Sequence, residues 1–475
     1  MRIGAPDATL TPVSGMVAVT ELVERLDVIG RLDAAIGSIK RRRRGHTGGQ
    51  LLVGLAAAQL AGEDFLVGLD RQRADQAGQA LAPVPDLAAT TAAGLARRLS
   101  DTQWAAVETG LGDVHAAALA TLAVVAPARA AALAQSVTID LDTTDVEVYG
   151  RHKRGVAFNH QGQRVGRPHV ATWADTATVL AADLLAGNED ARRDAPALLH
   201  RALAALPAAA RAGRIRLRAD AGYFAGQLAR AALFAGIEFA IGARRIAPLW
   251  RLLDGLAEAD WTDAIDMAGA QVAVADYCPN WWPAATRLLI RRVSLDVTAG
   301  AVSADPRARR RRTLHPDQRT LPLDELADLD AVCGYSFIVT NLEVSTGEAA
   351  AQVEHWYRHR TQVENMFRDA KHGAALRHLP SGYLEVNRAW MWGALLAASL
   401  TGWLHQLTAI PAADGKLIGH GIRDGQAMIA TLRHRLIRVP ARLVHHAGAL
   451  ILRLPPDHDL LAEVLARIRA LPTTS

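Results

Sequence analysis

At Ser136 the spacing of apolar residues changes from three-and-four to two, which divides the chain into a helix-forming part and a sheet-forming part. Before it, apolar residues recur at helical spacing in residues 17–32, 51–60 and 104–122, with breaks at Gly48-Gly49, Pro83 and Pro85. After it, Val137, Ile139 and Leu141 alternate with Thr138, Asp140 and Asp142. A strand built this way carries apolar side chains on one face and two carboxylates on the other. Residues 1–135 are therefore predicted to form a helical N-terminal domain.

Further extended stretches lie in residues 169–185, and residues 188–212 are alanine-rich and helical. Ile215, Leu217 and Ala219 make a short strand that ends at Asp220, followed by a turn at Gly222, a helix over 224–234 and a strand over 237–241. This order predicts a mixed α/β layer. Residues 243–335 interrupt it with β-like pieces at 271–275 and 287–295, the pair Trp281 and Trp282, and five arginines between 307 and 312. Strand character returns at 336–340, one long helix is expected over 347–371, and a strongly apolar one over 386–407. The predicted partition is 1–135, a helical DNA-binding domain; 136–242 and 336–410, two parts of a catalytic α/β domain; 243–335, a β-rich insertion; and 411–475, a helical C-terminal region.

Half of the 475 residues are hydrophobic, which fits a globular chain of several packed units. Two cysteines, Cys278 and Cys333, are too few for a disulfide framework or a four-cysteine zinc site, so a bound metal needs oxygen ligands. The net charge of +5 favours a polyanionic partner. Lys40, Arg41, Arg42, Arg43 and Arg44 form one of two basic runs, each equally readable as a solvated loop. The longest apolar runs fall short of the ~20 residues a spanning helix needs, and the N-terminus lacks a charged-then-apolar signal pattern, so a cytoplasmic protein with no membrane association is expected.

The sharpest constellation is Tyr357, Arg360, Glu364 and Lys371. At ~100° per residue their offsets fall within an arc of about 60°, so one helix face would present a phenol, a guanidinium, a carboxylate and an ammonium. Arg360 and Glu364 at i, i+4 would support a helix in any case. The lysine stands out, because the chain has only four.

This Tyr-x2-Arg-x3-Glu-x6-Lys pattern resembles the signature of the bacterial insertion-sequence DDE transposases, and the chain is most similar to the insertion-sequence 1380 branch. Further matches are Ile139-Asp-Leu-Asp-Thr-Thr-Asp145, Gly187-Asn188, Arg218-Ala-Asp-Ala-Gly-Tyr-Phe224 and Val363-Glu-Asn-Met-Phe367. The resemblance implies a ribonuclease-H-like catalytic domain with Asp142 on its first strand, Asp220 at the end of its fourth and Glu364 on the helix after the insertion. Asp140 shares a strand face with Asp142 and Asp145 is close by, and either can take its place. The resemblance also implies contacts from Tyr357, Arg360 and Lys371 to the transposon end, and a base-stacking aromatic in the insertion, where Trp281 and Trp282 are candidates, although at least one of them reads more readily as a core residue of the insertion. A homodimer on double-stranded DNA, carrying terminal inverted repeats and target, is the implied assembly, in a nucleoid-associated bacterial setting.

The chemistry accounts for these residue types. Magnesium takes hard oxygen ligands and keeps several waters, so carboxylates from separate elements suit it, and Mn2+ can substitute. Two such ions about 3.5–4 Å apart can activate an attacking oxygen and stabilise a leaving one at phosphorus. Water then gives a nick and a 3′-hydroxyl gives strand transfer. The competing readings are a catalytically inactive DNA-binding relative and another ribonuclease-H-like nuclease. His160, His169, His372 and His378 lack the spacing of metal ligands.

Overall fold

The computed structural model describes all residues except 2, 41–43, 296–331, 412–416, 421–424, 457 and 473–475. Arg41, Arg42, Arg43 and the arginines of 307–312 thus lie outside the described residues. The chain divides into two compact units, one of residues 1–238 and 360–475, the other of Phe239–His359.

In the larger unit a short strand β1 (Leu10–Thr11) precedes eight helices among the described residues between Met16 and Gln135. These do not form a compact unit of their own but share one with the sheet that follows. Helix Gly48–Ala61 is buried along nearly its whole length against the equally buried helix Leu384–Thr408. The two approach so closely that a Cβ on Gly393 would stand 2.8 Å from Leu55 Cβ. A side chain there would force the helices apart.

The sheet of this unit comprises β2 (Ser136–Thr143), β3 (Val146–Glu147), β4 (Ala157–Phe158), β5 (Arg164–Trp173), β6 (Thr178–Ala186) and β7 (Arg214–Ala219). β5 pairs antiparallel with β2, β3, β4 and β6, whereas β7 runs parallel to β2. It is therefore a mixed sheet. Helix Ala191–Ala205 makes the connection from β6 to β7 and packs on β6.

The smaller unit is an antiparallel sheet in the order β8 (Glu238–Ala243), β12 (Val332–Thr340), β11 (Arg287–Leu295), β10 (Ala270–Asp276), β9 (Thr262–Asp263), covered by helix Gly347–Arg358. The expected insertion is β-rich in its described part. Its strands are continuous with β8 and β12, so the compact unit reaches from 239 to 359 rather than from 243 to 335.

Two sequence expectations need correction. The helix expected over 347–371 is two helices, Gly347–Arg358 and Thr361–Gly373. His359 Nδ1 donates to the His355 carbonyl at 2.7 Å, and the His359 amide turns to Trp356 O, so a side chain takes the acceptor that would continue the helix. The C-terminal region is not all helical. After the short pair β13 (Ile410–Pro411) and β14 (Leu417–Ile418), β15 (Ala441–His446) and β16 (Ala449–Arg453) form a hairpin that pairs with β1. Its two-residue turn, Ala447-Gly448, has positive φ at both positions, the twist that hairpins favour. Helix Asp459–Ala470 follows.

Behind β6, the buried His115 accepts from Trp403 Nε1 at 3.0 Å on Nδ1 and donates from Nε2 to Val179 O at 2.9 Å. Burial holds its pKa at about 4, below the ordinary 6.5. The unfolded chain then binds the extra proton between pH 6.5 and 4, so the stability His115 contributes is complete above 6.5 and is lost as pH falls toward 4. Denaturant titration of wild type against His115→Gln should show a stability gap that shrinks by up to ~3 kcal/mol over that range. A constant gap would show that His115 does not titrate this way.

Candidate active site

The parallel register of β2 and β7 builds the site. Asp140 lies opposite Arg218 and Leu141 opposite Ala219, so the next residues, Asp142 and Asp220, meet at the same end of adjacent strands. Neighbouring strands stand ~4.8 Å apart. One step back the same face carries an ion pair: Arg218 Nε and Nη2 donate to the two oxygens of Asp140 at 2.7 and 2.9 Å, both side chains fully buried. At the strand ends the pattern changes from opposite to like charge.

Asp142 is 9% exposed. Its Oδ1 accepts from the Thr143 amide at 2.7 Å and its Oδ2 from Arg360 Nη1 at 3.1 Å. Burial pushes its carboxyl up to about 6, with Arg360 pulling against the shift and the Asp220 charge adding to it. Asp220 caps the turn Ala221–Tyr223 by accepting from the Gly222 amide at 2.8 Å.

Helix Thr361–Gly373 supplies the rest. Arg360, at its N-cap, spans two carboxylates, donating from Nη2 to Glu364 Oε1 at 3.2 Å as well as to Asp142. The Glu364 side chain is 58% exposed. Lys371 Nζ donates to Asp145 O at 2.8 Å, and burial lowers its pKa while Asp145 and Asp142 work against that. Asp145 itself is committed to Arg167 at 2.7 Å and Asn159 at 2.9 Å. All three aspartates on this stretch have an arginine partner, Arg218 for Asp140, Arg167 for Asp145 and Arg360 for Asp142, but Asp142 shares its arginine with another carboxylate, Glu364, and also feels the Asp220 charge.

Tyr357 belongs to the other unit, where its ring packs on the core formed by Ala240, Leu289 and Ile338. The helix expected to carry all four signature residues breaks between Tyr357 and Arg360; Arg360 caps the second helix, which carries Glu364 and Lys371. In the same unit Trp282 is 4% exposed and Trp281 42%, their rings edge to face at 5.4 Å. Lys40 Nζ is turned onto its own loop, donating to Arg44 O at 2.9 Å, while Arg44 is exposed.

Sequence reading missed the floor of the site. The buried Tyr223 stacks on the buried His169 at 5.7 Å, and burial, then the charges of Asp142 and Asp220, raise its hydroxyl well above the usual value. Its place in Asp220-Ala-Gly-Tyr223 was the available signal. His169 is held neutral by burial, at about 4.

An all-oxygen set of Asp142, Asp220 and Glu364 suits a hard divalent ion, and the crowding of two carboxylates is what such an ion relieves. Among the described residues no three His, Cys, Asp or Glu side chains stand together closely enough to enclose one ion. Asp142 and Glu364 are both ion-paired to Arg360, at 3.1 and 3.2 Å.

A family model described as "Transposase DDE domain group 1" matches residues 5–300 and 325–473. No curated protein is similar to the chain in sequence. Among solved structures, the chain is similar to the one described as "Cryo-EM structure of piggyBac transposase synaptic complex with hairpin DNA (SNHP)", with a TM-score of 0.39 and 10% identity over 82% of this chain and 75% of that chain. A likeness at that level decides nothing about this chain's chemistry.

Proposed function

The chain belongs to the DDE transposase family, and we propose that it binds the terminal inverted repeats of an insertion sequence and carries out cleavage and strand transfer with Asp142, Asp220 and Glu364. The observation that carries this reading is the like-charge pair at the ends of β2 and β7, beside a helix that begins with Arg360 and Glu364. The strand order β6-β5-β2-β7, with only the last pair parallel, supports a ribonuclease-H-like core. The local matches favour the insertion-sequence 1380 branch.

The family generally uses divalent metal ions. Here Asp142, Asp220 and Glu364 would hold two Mg2+ ions, which when bound supply charge stabilisation and a deprotonated nucleophile for in-line displacement at phosphorus. The chain's own groups do the positioning. Arg360 bridges Asp142 of β2 to Glu364 of the helix and has the planar fork that suits a phosphate. Lys371 ties the signature helix to Asp145, two residues beyond the end of the Asp142 strand. Its ammonium, and the Tyr357 hydroxyl, are assigned to the DNA end. Of the two tryptophans, exposure favours Trp281 for stacking. Lys40 and the arginines 41–44 are assigned to the repeat, and two copies would pair two ends. No helix among the described residues is long and apolar enough to cross a membrane.

The test is cleavage by the purified protein of DNA carrying the ends that flank its own coding region. Mg2+-dependent 3′-end nicking, abolished by a chelator, is expected. No nicking under any divalent ion would overturn the reading. In the same assay Lys371→Ala should weaken end binding and reduce the slope of log affinity against log salt by about 0.9. An unaltered slope would remove Lys371 from the phosphate contacts.

A further inference from the structure

Between β3 and β5 the chain leaves the candidate site as an arm, residues 146–164, whose foot is the bond from Asn159 Nδ2 to Asp145 Oδ2. The arm is wired in place. Arg164 donates to Gly150 O at 2.7 Å and Lys153 O at 3.1 Å, the Arg154 amide donates to Gly382 O at 3.1 Å, and Lys153 Nζ donates to Leu379 O.

On this ordered arm two large aromatic side chains face solvent, Tyr149 at 86% exposure and Phe158 at 66%. Residues 147–164 carry four cations, Arg151, Lys153, Arg154 and Arg164, against one anion, Glu147. Arg151, His152 and Arg154 are exposed. Beside them Arg97 and Arg154 both approach the ring of Tyr383, at 4.1 and 5.7 Å. Exposed aromatic rings among cations suit a polyanion with accessible π-faces. In a duplex the bases are stacked on each other and offer no such face; in an unpaired strand they do.

We propose that residues 146–164 grip an unpaired DNA strand next to the reacting phosphodiester, with Tyr149 and Phe158 as stacking platforms and Arg151 and Arg154 as phosphate contacts. This rests on the transposase reading for the strand's identity and adds the partner of a surface that the cleavage chemistry leaves unused. Both aromatics are exposed, so replacing them removes no core.

The experiment measures binding of the full chain to an oligothymidine and to a blunt duplex of equal length, by fluorescence anisotropy across a salt series. Tyr149→Ala/Phe158→Ala should weaken strand binding by about tenfold or more while duplex binding stays within about twofold. Arg151→Ala/Arg154→Ala should flatten the salt dependence of strand binding by about 1.4 in slope, two phosphates at ~0.7 each. Strand affinity unchanged in the aromatic double variant, or a wild-type protein that binds no strand, overturns the proposal. If wild type nicks its DNA ends while the aromatic variant binds strand normally, the arm is wrong and the transposase reading stands. If wild type never nicks but the aromatic variant loses strand binding, the opposite holds.

Discussion

Asp220→Asn should abolish Mg2+-dependent nicking, with a loss of at least about a thousandfold, while DNA-end affinity stays within about twofold. The substitution is close to isosteric, and an asparagine Oδ1 can still accept from the Gly222 amide, so the turn Ala221–Tyr223 keeps its cap. What is lost is one of two negative charges that meet at the ends of β2 and β7. A neutral amide oxygen is a far weaker partner for a hard cation than a carboxylate. The same change removes the charge that helps push Asp142 upward, so the Asp142 carboxyl should titrate lower in the variant. Loss of nicking together with retained end binding places Asp220 in the chemistry. Nicking within about tenfold of wild type would take it out of the assigned trio, since each ~1.4 kcal/mol of lost stabilisation is worth a factor of ten.

The parts of this site that local periodicity encodes were legible. The alternation from Val137 to Asp142 and the short strand ending at Asp220 mark two carboxylates at strand ends, and both strands form as expected. What periodicity does not contain is register. Nothing local reveals that Arg218 sits opposite Asp140, because 78 residues separate them and only the parallel pairing of β2 with β7 joins them. The choice of Asp142 over Asp140 and Asp145 therefore rested on the resemblance and not on periodicity. The helix break at His359 was hidden for another reason. No glycine or proline marks it, and it arises where the His359 side chain bonds the His355 carbonyl one turn back. The C-terminal hairpin was obscured by the alanine at the first turn position, where a positive φ is uncommon for any residue but glycine or asparagine. The Tyr223 and His169 pair comes together only in the folded sheet, from residues 54 apart in sequence, so the motif at Asp220 marks Tyr223 but nothing local marks the pairing with His169.

The ion pair one step behind the site is the second place where a single change should have a large effect. Asp140→Ala would leave the Arg218 guanidinium buried without the carboxylate that takes two of its N–H groups; its Nη2 keeps the longer contact to Gln362 Oε1 at 3.3 Å. Removing one member of such a pair typically costs about 3–5 kcal/mol, most of it the desolvation of the charge left behind. Replacing both, as Asp140→Leu/Arg218→Met, should return most of that stability, because two apolar side chains of similar size fill the same space between β2 and β7. Denaturant midpoints of the single and double variants measure this directly. A double variant no more stable than the single one would mean that the pair supplies shape rather than charge compensation. The double variant also separates Asp140 from Asp142 as a ligand. If Asp140 only neutralises Arg218, the refolded double variant should still nick DNA with Mg2+, although Gln362, in the first turn of the helix that carries Glu364, loses its arginine contact. A stable double variant without any nicking, against an active Asp142→Asn, would transfer the first catalytic position from Asp142 to Asp140.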